Sequence, residues 1–177
     1  MTTIGLMVKL NMNISKKAVK LVCILAAGTG SRMGEYAEVV NKSLLPLNFK
    51  SSLTRIIESF PENSKFVIAT GYKKENVKNY LKIFNNKNIK IINVGNFDGL
   101  GSGPALSLYS CKKYLQKSFY FIPCDTLISG NFSKFENYNW LGVGKNKSNY
   151  KDYCNFEVNQ KSEIFKIFDK KKPQKKN

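Results

Sequence analysis

An α/β domain with a mainly parallel sheet is what this sequence predicts, on three observations. Short apolar runs rich in Val and Ile recur along the chain, stretches with apolar residues at helical spacing separate them, and glycine-rich segments follow directly after some of the runs. Residues 19–26 form the first run, a buried strand. Residues 51–60 carry Leu53, Ile56, Ile57 and Phe60 at helical spacing, with Ser51 or Ser52 as the N-cap. Residues 65–69 read as a strand closed by Gly71, and residues 74–84 place Val77, Tyr80, Leu81 and Phe84 on one helical stripe. A strand is expected at 89–94. A helix follows at 104–115, with its proline in the first turn, where a missing N–H costs nothing. Residues 119–123 are a further buried strand, and shorter strands are expected at 140–143, 153–158 and 164–168. Such alternation implies a Rossmann-like, three-layer αβα domain with helices on both faces of the sheet. Residues 1–18 lack a sustained period and read as an N-terminal extension, 19–169 as the domain, and 170–177 as a basic tail.

Composition narrows the chemistry. The 177 residues suit one domain with a real core, and 42% hydrophobic with 23% charged residues is ordinary for a globular protein. No apolar run approaches the ~20 residues of a membrane helix. The run at 21–27, flanked by Lys16, Lys17 and Lys20, is too short for a comfortable signal h-region of about 7–15 residues. Neither export nor membrane insertion is expected, and a cytoplasmic location is. Cys23, Cys111, Cys124 and Cys154 are widely spaced, as befits reduced thiols. Histidine is absent, which removes Ser-His-Asp and Cys-His nucleophiles, histidine metal sites and imidazole proton shuttles. Net charge is +17, yet the basic residues are mostly lysines scattered among asparagines, and Arg32 and Arg55 are the only arginines. No aromatic-basic interleaving marks an RNA-binding surface, so nucleic acid is not the expected partner.

In open parallel sheets, ligands bind beyond the carboxyl ends of the strands. The first strand runs into Leu25, Ala26, Ala27, Gly28, Thr29, Gly30, Ser31, Arg32, Met33 and Gly34. Small residues let a backbone approach an anion, successive amides can cradle phosphate, and the Arg32 fork suits phosphate oxygens. A tight strand-to-helix turn would account for an isolated glycine pair equally well. The spacing fits neither a P-loop, which needs G-x-x-x-x-G-K-[ST], nor a dinucleotide G-x-G-x-x-G, because Gly34 comes one residue late. Lys42, just ahead of the apolar run at 44–47, is anchored on one side and free to reach a phosphate. Asp125 closes the strand at 119–123, where a carboxylate can hold Mg²⁺ or cap a turn through Thr126 and Leu127.

These segments resemble the signature L-A-A-G-x-G-[ST]-R-M-G followed by P-K-x-L-L-P-L of nucleotidyltransferases in the sugar-nucleotide pyrophosphorylase and MobA-like NTP transferase superfamily. Residues 25–34 match the first half, and Lys42, Leu44, Leu45, Pro46 and Leu47 the second. Asn41 replaces the family's proline, a change expected to loosen the lysine while keeping its charge. Gly71, Tyr72 and Val77 resemble the G-Y-x-x-x-x-V element, and residues 99–105 the segment lying against the base. Residues 121–125 resemble the strand ending in the metal aspartate, with Cys124 where glycine is commoner. Residues 164–173 resemble, more loosely, a later lysine-proline element.

The resemblance implies a fold of the nucleotide-diphospho-sugar transferase type and Mg²⁺-dependent nucleotidyl transfer. An NTP (CTP, UTP or dTTP) reacts with a sugar-1-phosphate or phosphocholine-like acceptor, giving an NDP-linked product and pyrophosphate. It assigns the residue 28–34 amides and Arg32 to the β,γ-phosphates, Lys42 to the α- or acceptor phosphate, and Asp125 to Mg²⁺. Ser102 and Gly103 face the base. A second metal carboxylate is expected late in the chain, where Asp152 and Asp169 stand in no convincing motif. An incomplete enzyme completed by a partner chain or homo-oligomer is therefore one reading, and an NTP-binding regulatory module without turnover is its rival.

Overall fold

The structure, a computed structural model, describes residues 4–8, 20–84, 88–127, 139–143 and 154–169. The tail at 170–177 and Asp152 lie outside the described residues. In chain order the strands and helices are β1 (Ile4–Val8), β2 (Leu21–Ala26), α1 (Glu35–Val39), β3 (Pro46–Leu47), β4 (Lys50–Ser51) and α2 (Ser52–Glu58). They continue with β5 (Lys65–Thr70), α3 (Lys74–Lys82), β6 (Ile89–Asn93), α4 (Pro104–Ser110), β7 (Tyr120–Pro123), β8 (Asn139–Val143), β9 (Cys154–Val158) and β10 (Ile164–Asp169). Contacts divide the chain into two compact units: Val19–Ser129, and Met1–Ala18 with Gly130–Asn177.

The larger unit holds a four-stranded parallel sheet in the order β6-β5-β2-β7. Side chains on a strand alternate between faces, and the apolar residues divide accordingly. Val22, Ile24 and Ala26 of β2, with Phe66 and Ile68 of β5, join Leu53 and Ile56 of α2 and Val77 and Leu81 of α3 in one buried cluster. On the opposite face, Cys23, Val67 and Ala69 pack with Cys111 and Leu108 at α4. The three-layer α/β architecture is thereby formed. Both faces of β2 are covered, which is why its sequence is an unbroken apolar run. A thiol–thiol hydrogen bond to Cys111, together with burial, raises the Cys23 pKa above its ordinary value.

Chain ends obey local chemistry. Ser51 caps α2, its Oγ accepting from the Thr54 amide at 3.0 Å, and the Tyr80 hydroxyl ties α3 to the same turn through Thr54 Oγ1 at 2.6 Å. The helix expected through residue 115 ends at Ser110 and tightens into a 3-10 turn at Lys112–Tyr114. Leu108, Cys111 and Leu115 keep one apolar stripe across that break, so the pattern reads as one helix. The small β3–β4 hairpin was not expected from the sequence. Its two turn residues, Asn48 and Phe49, have φ of 49° and 69°, the left-handed pair of a two-residue hairpin turn. Arg55 holds that turn, Nε donating to Leu47 O at 2.9 Å and Nη2 to Asn48 O at 3.0 Å.

In the smaller unit, β1 pairs antiparallel with β8, and β9 with β10. Within residues 1–18, read as an extension, Ile4–Val8 is thus a strand. Its pattern is five residues long and its partner lies far along the chain, so no local period announces it. The β9–β10 turn is held by Asn159 Oδ1, which accepts from the amides of Lys161 and Glu163 at 2.9 Å each.

Ile56 is 1% exposed at the centre of the α2 contact with the sheet. Ile56→Ala should destabilise the domain by about 2–5 kcal/mol, the usual cost of such a core truncation. Urea unfolding followed by circular dichroism would read this; a loss under about 1 kcal/mol would mean that α2 is not part of the cooperative core.

Candidate functional site

Strand order reverses at β2. The chain winds from β2 through β5 to β6 on one side, then crosses to place β7 on the other. Such a switch point leaves a crevice at the carboxyl ends of the two flanking strands, where open α/β sheets bind ligands. β2 and β7 deliver to it the residue 25–34 loop and Asp125, respectively. The Cys124 amide donates to Leu25 O at 3.1 Å and locks the two strand ends together.

The glycine loop leaves the sheet at Ala27. Leu25, Ala26 and Ala27 commit their carbonyls to the scaffold, to the Cys124 amide, the Asn41 side chain and the Tyr72 amide. Beyond them the chain is open to solvent: Gly28, Ser31 and Arg32 are exposed, Thr29 and Gly30 half-buried. Gly30 takes φ of 71° and opens the 3-10 turn Ser31–Met33. A left-handed residue beside right-handed ones turns successive amides to one side, the geometry of an anion nest. A side chain at Gly30 would also put its Cβ 3.2 Å from that of Lys42. Arg32 has no hydrogen bond or ion pair among the described residues, whereas Arg55 is committed to the hairpin.

Lys42 stands on a 3-10 turn, Lys42–Leu44, whose cap is Asn41. Asn41 is fully buried. Its Nδ2 donates to Ala26 O at 3.0 Å and to Tyr72 O at 2.7 Å, while its Oδ1 accepts from the Ser43 amide at 3.0 Å and the Ser43 hydroxyl at 2.8 Å. The expected loosening of Lys42 by loss of proline is therefore corrected: asparagine fastens the turn instead. Its φ of −59° is that of a proline, and Val40 before it is extended at φ −143°, ψ 154°, as a residue preceding proline must be. The backbone keeps the proline conformation, and hydrogen bonds replace the ring.

The Lys42 ammonium donates to Asp125 Oδ2 at 2.9 Å, with side-chain exposures of 25% and 59%. The alternative role of Asp125 as a helix cap does not materialise, because Thr126 and Leu127 are not helical. Among the described residues no group of three Asp, Glu, His or Cys side chains could enclose a metal. Asp125 offers its carboxylate at the crevice with its side chain open to solvent. That donor fits Mg²⁺, a hard cation that takes one or two carboxylates and completes its shell with phosphate oxygens and water. Burial pushes the Cys124 thiol up to about 11, with Lys42 pulling the other way, so it presents no thiolate there at neutral pH.

Ser102 and Gly103 lie on the loop entering α4, which packs on β2 and β5. Gly99, Gly101 and Gly103 all have positive φ. The Ser102 hydroxyl donates to Gly99 O at 2.7 Å, which closes the loop on itself. Upstream, Phe97 reaches the strand ends: a Cβ on Gly71 would lie 2.6 Å from that of Phe97 and 2.8 Å from Ala27 O, so only glycine fits. Among the described residues no hydrogen bond joins Ser102 or Gly103 to the residue 28–34 loop. Asn41 is the residue whose part the sequence did not announce. Its available signal was an Asn two residues before a Ser, the spacing of an Asx turn.

A family model described as the MobA-like NTP transferase domain matches residues 22–131. The bifunctional protein GlmU of Methanocaldococcus jannaschii is 26% identical over 155 residues, covering 87% of this chain and 36% of that protein. The chain thus spans little more than a third of the length of the curated relatives it matches. A putative glucose-1-phosphate thymidylyltransferase from Bacillus anthracis superposes with a TM-score of 0.67 at 20% identity, covering 87% of this chain and 65% of that one. The inositol-1-phosphate CTP transferase from T. maritima gives 0.64 at 17%, covering 90% and 67%. At these identities the structural likeness shows the fold.

Asn41→Ala should cost about 1–3 kcal/mol, because it strands the buried Ala26 carbonyl and the part-buried Tyr72 carbonyl. Asn41→Pro should recover about 0.4–1 kcal/mol of that loss through the stiffer unfolded chain. Chemical denaturation of both variants checks the ordering; a proline variant less stable than the alanine one would mean the backbone there is not proline-like.

Proposed function

The chain belongs to the MobA-like NTP transferase domain family, and from that premise we propose that it moves a nucleotidyl group from an NTP to a small phosphorylated acceptor and releases pyrophosphate. The observation carrying this reading is the contact between Lys42 and Asp125 at the switch-point crevice of β2 and β7, where the glycine loop bearing Arg32 leaves the end of β2. An acceptor phosphate oxygen attacks the α-phosphorus, and the bond to the β-phosphate breaks. A phosphate is already a competent nucleophile, so the step needs positioning and charge neutralisation more than a proton acceptor. That matches a chain without histidine.

The residue 28–34 amides and Arg32 bind the β,γ-phosphates in this reading, and Lys42 meets the α- or acceptor phosphate. Ser102 and Gly103 line the base, with Leu25, Ala26 and Ala27 as the backbone from which the loop springs. Asp125 holds Mg²⁺, which supplies charge to the phosphates when bound. CTP, UTP and dTTP are the candidate donors, and sugar-1-phosphates or phosphocholine-like esters the candidate acceptors. The similar proteins' names supply two acceptors to try first, glucose-1-phosphate and inositol-1-phosphate. A cytoplasmic location fits such soluble substrates, and no helix among the described residues is long and apolar enough to cross a membrane. A partner chain or a homo-oligomer contributing to the acceptor side is part of the same proposal.

Pyrophosphate release, measured over this panel of nucleotides and acceptors with Mg²⁺, tests the activity; nucleotide binding without release under any pairing would favour a binding module instead. Arg32→Ala should weaken NTP binding by about 1.5–3 kcal/mol, the value of a charge-assisted hydrogen bond, and leave the melting temperature of the free protein unchanged. Calorimetric affinity equal to wild type would remove the glycine loop from the site. Asp125→Asn keeps the side chain's size and should abolish turnover far more than it lowers stability. Surviving turnover with a lowered melting temperature would make Asp125 a structural residue.

A further inference from the structure

The carboxylate best placed for a divalent ion already has a cation on it, the Lys42 ammonium 2.9 Å away. We propose that Lys42 and the divalent ion are rival cations for Asp125, and that passage of the lysine from this carboxylate to the nucleotide phosphates couples metal binding to nucleotide binding. The inference rests on the nucleotidyl-transfer reading above and gives Lys42 a second role that reading lacks.

Three features make the rivalry specific. First, the base of Lys42 cannot retreat. Asn41 pins its turn with four hydrogen bonds, and the Lys42 Cβ and Cδ lie 3.2 and 3.5 Å from where a Cβ on Gly30 would stand. Freedom is left to the terminal methylenes, so the ammonium can swing but not leave. Its reach takes in both Asp125 and the glycine-loop side of the crevice. Second, the pair is part exposed, and a solvent-screened ion pair of this kind is weak enough to yield to a better partner. A triphosphate is that partner, with several charges close together. Third, no group of three or more described Asp, Glu, His or Cys side chains surrounds Asp125 to enclose a metal. A divalent ion arriving at Asp125 without phosphates meets an ammonium already in contact with the carboxylate, a like-charge repulsion at short range. Once phosphates draw Lys42 away, the same carboxylate is free and the phosphates add ligands. Coupling of this kind is reciprocal: whatever nucleotide does for metal affinity, metal does for nucleotide affinity.

The experiment separates the two ligands. In a metal-only arm, Mn²⁺ is titrated into the full chain and its binding followed by electron paramagnetic resonance and by line broadening of the Asp125 amide. Lys42→Met should bind Mn²⁺ about fivefold or more tighter than wild type, the lower end of ordinary coupling factors. Lys42→Arg, which keeps the charge, should stay near wild type, and Lys42→Met with Asp125→Asn should lose the gain. In a metal-free arm with EDTA, Asp125→Asn should raise NTP affinity severalfold in the wild-type background and not in the Lys42→Met background. Circular dichroism and melting curves establish that each variant is folded. Equal Mn²⁺ affinity for wild type and Lys42→Met overturns the rivalry, as does a gain that persists without Asp125 or an NTP effect independent of Lys42. Failure of NTP to bind wild type at all would sink the functional reading instead, and the Mn²⁺ arm would still decide the rivalry.

Discussion

The Asn41 carboxamide uses its hydrogen-bonding positions entirely inside the protein. Two N–H bonds go to Ala26 O and Tyr72 O, and two bonds arrive at Oδ1 from Ser43. A buried amide left unpaired would be costly, so each bond constrains its partner as much as it stabilises the whole. Three segments far apart in sequence become one object: the end of β2, the bend after β5 and the turn that carries Lys42. The glycine loop starts from the first of these and faces the last. Its orientation, and that of the lysine opposite, descends from one side chain with no reactive chemistry of its own.

Around that anchor the sheet supplies polarity. Because every neighbouring pair in β6-β5-β2-β7 is parallel, all four strands end on the same rim. Amides, cations and the carboxylate collect there, while the helical layers close both faces with apolar side chains. The division explains how a chain with so few acids and no histidine concentrates its chemistry. Charge scattered over the surface counts for little, and charge at the rim meets a ligand in a confined crevice.

The α/β layering was legible in the sequence because periodicity and burial coincide in it. Residues 65–69 became Lys65–Thr70, since a strand buried on both sides leaves an apolar run, and residues 89–94 became Ile89–Asn93, a half-buried edge strand marked by its three isoleucines. The β3–β4 hairpin was hidden because Phe49 occupies a left-handed position usually marked by glycine. Strand β1 was hidden because its pairing with β8 is non-local. In the site, Arg32, Lys42 and Asp125 could be singled out by their place after strands. Their meeting could not, because Lys42 and Asp125 are 83 residues apart and adjoin only through the strand order. Asn41 was read as a defect in a motif, since its compensation lies in contacts with Ala26 and Tyr72 that a linear pattern does not display.

The central place of β2 has a consequence for the chain as it is made. β2 leaves the ribosome before its sheet neighbours and is apolar on both faces, yet β7 is translated only after β5, α3, β6 and α4. Until then one side of β2 is an unpaired hydrophobic edge, the kind of template on which nascent chains misassociate. Completion of the crevice and protection of that edge are the same event, the docking of β7. A ribosome-bound intermediate shorter than this point is at once unable to join the Lys42 and Asp125 sides of the crevice and most in need of a chaperone.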